Sequence, residues 1–194
     1  MKARCEENVP VASPTLVVVS GPPGSGKTQL AHALAAAIGC PAICRDEIKE
    51  GMVHAEGPDF RPSVGDALTM RTFPLFFEVL RVLLANGVTV VAEAAFQDRL
   101  WREGLTPLLP LARLRLIHCT VDAGVARERM LRRASDPTRA AHADAQWVAA
   151  GMSTFERVSL PAPSLVVDTT NGYVPDLGAI VSFVGGDPPR DTGT

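Results

Sequence analysis

Lysine is nearly absent from this chain of 194 residues. Lys2, Lys27 and Lys49 are the only three, against sixteen arginines. With abundant alanine, this imbalance reads as genomic composition, not as chemistry. The four cysteines, Cys5, Cys40, Cys44 and Cys119, form no Cys-x-x-Cys pair and no Cys/His group with zinc spacing. That excludes a zinc-ribbon module and leaves the expectation of free thiols in a reducing compartment. No apolar run approaches the roughly 20 residues that span a bilayer. The first 13 residues contain acidic groups and no apolar segment, so they read as a loose arm and not as a signal peptide. Residues 185–194, rich in Gly and Pro, read as a disordered tail. A cytoplasmic protein is expected. The net charge of −2 lacks the basic excess typical of nucleic-acid or membrane surfaces. His32, His54, His118 and His142 show no metal spacing and receive no role.

What the chain does have is "LVVVSGPPGSGKTQLAHALAAAIG", from Leu16. A short β-branched run reads as a buried strand. Leu30, Leu34 and Ile38 then recur at helical spacing, and Gly39 provides a stop. Between them, Gly21-Pro22-Pro23-Gly24-Ser25-Gly26-Lys27-Thr28 has the spacing of a phosphate-binding P-loop. Glycines let backbone N–H groups wrap an anion, and the following helix adds its free N–H groups and positive dipole end. Lys27 supplies charge, and Thr28 a hydroxyl for a metal ion. Residues Gly21 to Gln29 are therefore the expected nucleotide site, with ATP and Mg2+ as cofactors and Thr28 as the metal-side residue.

The rest alternates strand and helix. Strands are expected at Thr15–Ser20, at "PAICRD" ending on Asp46, at "VTVVAEAAF" with Glu93 near its end, at "LRLIHCTV" and at "SLVVDT". Helices are expected after the P-loop, over "ALTMRTFPLFFEVLRVLLANG" with a kink at Pro74, over Asp98–Leu109, from Asp122 onward, near Ala143–Val158 and over "VPDLGAIVSFV". Residues 51–66 read as a Gly/Pro-rich loop. This order implies an α/β fold: a three-layer sandwich with a five-stranded parallel sheet and helices on both faces. Ligands in such sheets bind at the carboxyl ends of the strands. Asp46, Glu93 and the P-loop should share that crevice.

Phosphoryl transfer needs positioning and charge neutralisation, and a kinase also needs a group that orients the acceptor hydroxyl. Asp46 is the candidate, with a helix N-cap as the alternative. Glu93 follows its apolar strand as an acidic residue follows a Walker-B strand. It could hold magnesium through water or bond the acceptor. Arg127, Arg129, Arg132, Arg133 and Arg139 make "ARERMLRRASDPTR" strongly basic. Arg129, Arg132 and Arg133 share a helix face. That face is either solvated or a lid, over about residues 127–142, whose arginines close on the transferring phosphate. Arg129 and Arg133 are the expected lid contacts. Phe60, Arg61, Phe96, Arg99 and Trp101 are plausible acceptor lining, whereas Met52, Phe73, Phe76 and Phe77 read as core.

"SGPPGSGKT", "CRDEIKEGM", "VVAEAAF", "CTVDAGVARERMLRR" and "LVVDTTNGY" resemble, in this order, the small P-loop kinases, over roughly residues 15–183. That group includes gluconate kinase, chloramphenicol phosphotransferase, zeta toxins and bacterial polynucleotide kinase domains. The resemblance implies Asp46 acting on the acceptor hydroxyl, Arg129 and Arg133 on the phosphates, and Thr169–Tyr173, including Asn171, near the adenine. Glu93 stands where many relatives have Asp. The implied activity is ATP-dependent phosphorylation of a small-molecule hydroxyl, an antibiotic or other natural product being one class. Polynucleotide or nucleotide phosphorylation and a nucleotide switch or ATPase are the alternatives. Monomer and homodimer both stay open.

Overall fold

The computed structural model describes residues 13–57, 66–134 and 155–186. Most of the expected arm, Phe60 and Arg61, the lid beyond Ala134 with Arg139, and the tail beyond Gly186 lie outside the described residues.

Five strands form one parallel sheet: β1 (Thr15–Ser20), β2 (Ala42–Cys44), β3 (Val90–Glu93), β4 (Arg113–Thr120) and β5 (Ser164–Asp168), in the order β2-β3-β1-β4-β5. Helices α1 (Lys27–Ile38), α2 (Arg45–Glu56), α3 (Ala67–Ala85), α4 (Asp98–Leu105), α5 (Ala123–Ala134) and α6 (Leu177–Gly185) complete the elements, with a 3-10 turn at Thr106–Leu111. β1 is central and buried at every position, which explains its unbroken apolar run.

Alternation along β1 sends its side chains into two cores. Leu16 and Val18 pack with Phe76, Phe77, Leu80, Trp101 and Leu105 of α3 and α4. Val17 and Val19 pack with Leu30, Leu34, Ile180 and Val184 of α1 and α6. Helices therefore cover both faces, as expected of a three-layer sandwich. Among the described residues, no helix is long and apolar enough to cross a membrane. Cys40, Cys44 and Cys119 carry free thiols.

Phe73, Phe76, Phe77, Phe96 and Trp101 form one aromatic cluster, with ring centroids 5.1 to 6.0 Å apart. Gly104 admits the Phe77 ring to this cluster, since a Cβ there would stand 2.1 Å from Phe77 Cζ. Truncating a buried ring such as Phe76 would cost about 3–5 kcal/mol.

Several sequence expectations change. β2 ends at Cys44, and Asp46 lies in the first turn of α2 and not on a strand. Residues 51–56 continue that helix, where a loop was expected. α3 continues as one helix through Pro74. α4 stops at Leu105 and tightens into the 3-10 turn, in which Pro107 and Pro110 sit. Most of the helix expected near Ala143–Val158 lies outside the described residues, and residues 155–160 form neither helix nor strand. Here the Glu156 N–H donates to Gln97 Oε1 and the Ser159 N–H to Asp98 Oδ1, so side chains of the neighbouring α4 replace helical acceptors.

Candidate nucleotide and phosphoryl-transfer site

Parallel register sets Val19 opposite Glu93 and Glu93 opposite Cys44. The carboxyl edge of the sheet therefore carries the start of the P-loop, an acidic side chain and the start of α2 side by side. The P-loop itself runs from Gly21 to the N-terminus of α1, capped by Gly26 without a side-chain hydrogen bond. Gly24 is needed twice over. Its φ of +77° lies in the left-handed region, and a Cβ would stand 2.7 Å from the Ala126 carbonyl oxygen of α5. The loop thus rests directly on the first turns of α5.

Two side chains brace it from below. Thr169, buried just after β5, has its hydroxyl 2.8 Å from the Ser25 carbonyl and 3.2 Å from that of Thr120. Arg129 Nη2 donates to the Thr169 carbonyl at 2.7 Å and lies 3.3 Å from that of Thr170. Its Nη1 lies 3.4 Å from the Gly24 carbonyl and 3.3 Å from Thr169 Oγ1. The sequence placed Arg129 on a phosphate and Thr169 beside the adenine. In this structure Arg129 reaches main-chain carbonyls, and the Thr169 side chain is buried. Arg133, one turn later on α5, is half-buried.

At the front, Lys27 Nζ donates to the Pro22 carbonyl at 3.0 Å, and Thr28 Oγ1 donates to Glu93 Oε2 at 3.1 Å. Glu93 is 3% exposed. Desolvation holds its carboxyl above the usual range, with Asp46 and Glu47 adding to the rise and Lys27 and the Thr28 hydrogen bond opposing it. A carboxylate and a hydroxyl this close, in a field made negative by Asp46 and Glu47, are hard oxygen donors suited to Mg2+. Ser25 Oγ is buried with no hydrogen-bond partner among the described residues, so the loop retains an unmet polar group facing its own interior.

Asp46 is half-exposed and pairs with Arg45 Nη1 at 2.9 Å. It is close enough to influence Glu93. Cys44, not Asp46, is the N-cap of α2. Arg45 also donates to the Thr69 carbonyl, which ties the first turn of α2 to α3.

Behind the brace, Thr120, Val121, Asp122, Asp168, Thr170, Asn171 and Val174 line an open groove of about 560 Å³. Its size suits a nucleoside, and Asn171, expected near the adenine, forms part of its wall. Asp168 accepts the Thr170 N–H at 2.7 Å, and bonds from Thr170 hold its carboxyl below the usual range.

The expected acceptor lining fares differently. Phe96 is buried in the aromatic cluster, because its ring packs on Phe73 and Trp101. Trp101 is fully buried, and its indole Nε1 donates to Ser20 Oγ. Arg99 projects from α4 into solvent, 3.9 Å from Glu103. Phe96 and Trp101 are thus core side chains, and Arg99 is a solvent-exposed one. Arg157 and His118 were missed: both line a cavity against Gly21 and Pro22. No local pattern marks them, because they come from distant segments.

The family model that matches, described as an AAA domain, covers residues 16–158. Among curated protein sequences, none matches. Among solved structures, a candidate kinase from Chloroflexus aurantiacus is 27% identical, with a TM-score of 0.73 over 89% of this chain and 97% of that one. A gluconokinase from Sinorhizobium meliloti is 20% identical, with a TM-score of 0.51 and 89% of each chain covered. Chaetomium thermophilum Kti12, in complex with ADP-AlF3, is 14% identical, with a TM-score of 0.61 over 89% of this chain and all of that one. The P-loop, the five-stranded parallel sheet and the family match together place this chain in the AAA-domain family, among proteins with the fold of small P-loop kinases.

Proposed function

We propose that the chain is an ATP-dependent kinase that transfers the γ-phosphate to a hydroxyl of a small molecule, an antibiotic or other natural product being one class. The observation that carries this reading is the meeting of Lys27, Thr28, Glu93 and Asp46 at one edge of the sheet, beside the P-loop. The nucleoside occupies the groove at Asn171, and the loop amides with Lys27 hold the phosphates. Thr28 and Glu93 would hold Mg2+, which would supply charge neutralisation at the phosphate oxygens.

Asp46 orients the acceptor. In the transfer, the acceptor oxygen bonds to the γ-phosphorus while the bond from that phosphorus to the bridging oxygen of ADP breaks. The hydroxyl proton passes to the Asp46 carboxylate late in the step. Its pairing with Arg45 at 2.9 Å aims that carboxylate. Arg133, in the last turn of α5, is the lid residue assigned to the phosphates in this reading.

A nucleotide-hydrolysing switch is the second reading, favoured by the buried Glu93 beside Thr28, which could order a water in place of an alcohol. Labelled ATP with a panel of hydroxyl compounds separates the two. Label appearing in an alcohol, dependent on Asp46, supports the kinase. Release of inorganic phosphate at an unchanged rate with every alcohol supports the switch and sinks the kinase.

A further inference from the structure

His118 is the second-last residue but one of β4, 6% exposed, with its ring on the α3–α4 side of the sheet. Its Nδ1 is buried and has no hydrogen-bond partner among the described residues. Leaving such a nitrogen unmet is costly, so it points to a group that arrives from outside. The imidazole lines a cavity of about 180 Å³ together with Gly21, Pro22, Cys119, Thr120, Val121, Phe155 and Arg157. Arg157 makes no hydrogen bond or ion pair to the described residues, yet its charge is felt at His118. The cavity abuts the entry of the P-loop and adjoins the nucleoside groove at Thr120 and Val121, but Asp168 and Asn171 of that groove do not line it. It therefore lies next to the phosphates without being where the base goes.

A cavity with an unpartnered arginine, an unmet imidazole and no carboxylate in its lining is a site for an anion. We infer that this cavity binds an anionic group, a phosphate or carboxylate, carried by the hydroxyl-bearing acceptor. Arg157 pairs with the anion, and His118 supplies a hydrogen bond from the sheet. The inference rests on the kinase reading and narrows it to alcohols that already bear a negative charge. Such a contact suits a fixed fork of donors, which arginine presents and lysine does not.

The probe is inorganic phosphate, titrated into full-length protein already saturated with magnesium and a non-hydrolysable ATP analogue, so that the P-loop is filled. The readout is the imidazole Cε1–H resonance of His118 by NMR, assigned with His118→Gln. The expected result is a saturable shift of His118 and not of His32 or His54. Arg157→Gln should weaken it by at least about tenfold, the loss typical of a charged hydrogen bond. Acetate in a parallel titration tells carboxylate from phosphate by which binds more tightly. Absence of a saturable shift overturns the inference. So does a shift seen only without nucleotide, since phosphate would then be filling the P-loop. The kinase reading fails separately. An anionic alcohol phosphorylated equally by wild type and Arg157→Gln would end the anion site and keep the kinase. Phosphate binding at His118 with no alcohol ever accepting label would keep the site and end the kinase.

Discussion

Replacing Arg129 by Ala tests whether this side chain acts on the phosphates directly or through the loop that holds them. Its guanidinium makes one short bond, 2.7 Å to the Thr169 carbonyl, and three long ones of 3.3 to 3.4 Å to Thr170, Gly24 and Thr169 Oγ1. Hydrogen bonds to a charged donor contribute about 1.5–3 kcal/mol each when well formed. One good bond and three weak ones, in a half-buried place, suggest a loss of about 2–3 kcal/mol. For a chain of this size that lowers Tm by roughly 5–10 °C. ATP affinity should also fall, since Gly24 and the Thr169–Thr170 segment lose their shared tie. Calorimetry measures both quantities on one sample, and steady-state turnover at saturating ATP gives the third. An arginine that closed on the transferring phosphate would show the reverse pattern: unchanged Tm, nearly unchanged affinity and a fall in kcat. That reverse pattern would refute the bracing role and restore Arg129 to the lid.

Lys27→Ala should cut turnover by about 10²–10³, the usual cost of one transition-state charge contact, with circular dichroism unchanged; full turnover would mean the site is elsewhere. Asp46→Asn should abolish transfer to the acceptor while ATP affinity, read by calorimetry, survives; near-normal transfer would move the role to Glu93. Glu93→Gln has a pH signature in metal-free protein. The native carboxyl is raised above its ordinary value of 4.5, so below that value both states are protonated and the variant gains nothing. As pH rises through it, the unfolded state ionises first and wild type is penalised, so the Tm of the variant should pull ahead across pH 4.5 to 7. A difference that does not vary with pH would contradict the buried, disfavoured charge. Trp101→Phe should cost about 1–3 kcal/mol by orphaning the buried Ser20 hydroxyl, measurable by denaturant unfolding.

The P-loop, β1 and the parallel order were legible because their signals are local: an apolar run, a fixed spacing, a helix stop. α2 was not. Its residues Arg45–Glu56 include Gly51 and much charge, and its short apolar contribution, Ile48, packs on a core built by other elements. Tertiary contact, not propensity, makes it a helix. Asp46 was named correctly as a neighbour of Glu93, but its element was misjudged because "CRDE" reads equally as strand end and helix start. Phe96 failed for the same kind of reason. An aromatic just past a strand can face ligand or core, and only the rings of Phe73, Phe76 and Trp101 decide. His118 and Arg157 were illegible because their partnership spans 39 positions and a chain segment between them.

The aromatic cluster has a mechanical meaning for the loop that leaves β3. Four of the seven Phe and one of the two Trp of the whole chain are gathered there, and Phe96 anchors that loop into them. Residues Ala94 to Gln97 join buried Glu93 to α4, so the carboxylate is held from one side by the strand ladder and from the other by interlocked rings. Edge-to-face rings at van der Waals contact do not slide past each other at small cost. Glu93 is therefore mounted on a stiff floor, and any adjustment to a bound nucleotide or metal must come from α2 and Asp46, across the crevice, where the side chains are half in water.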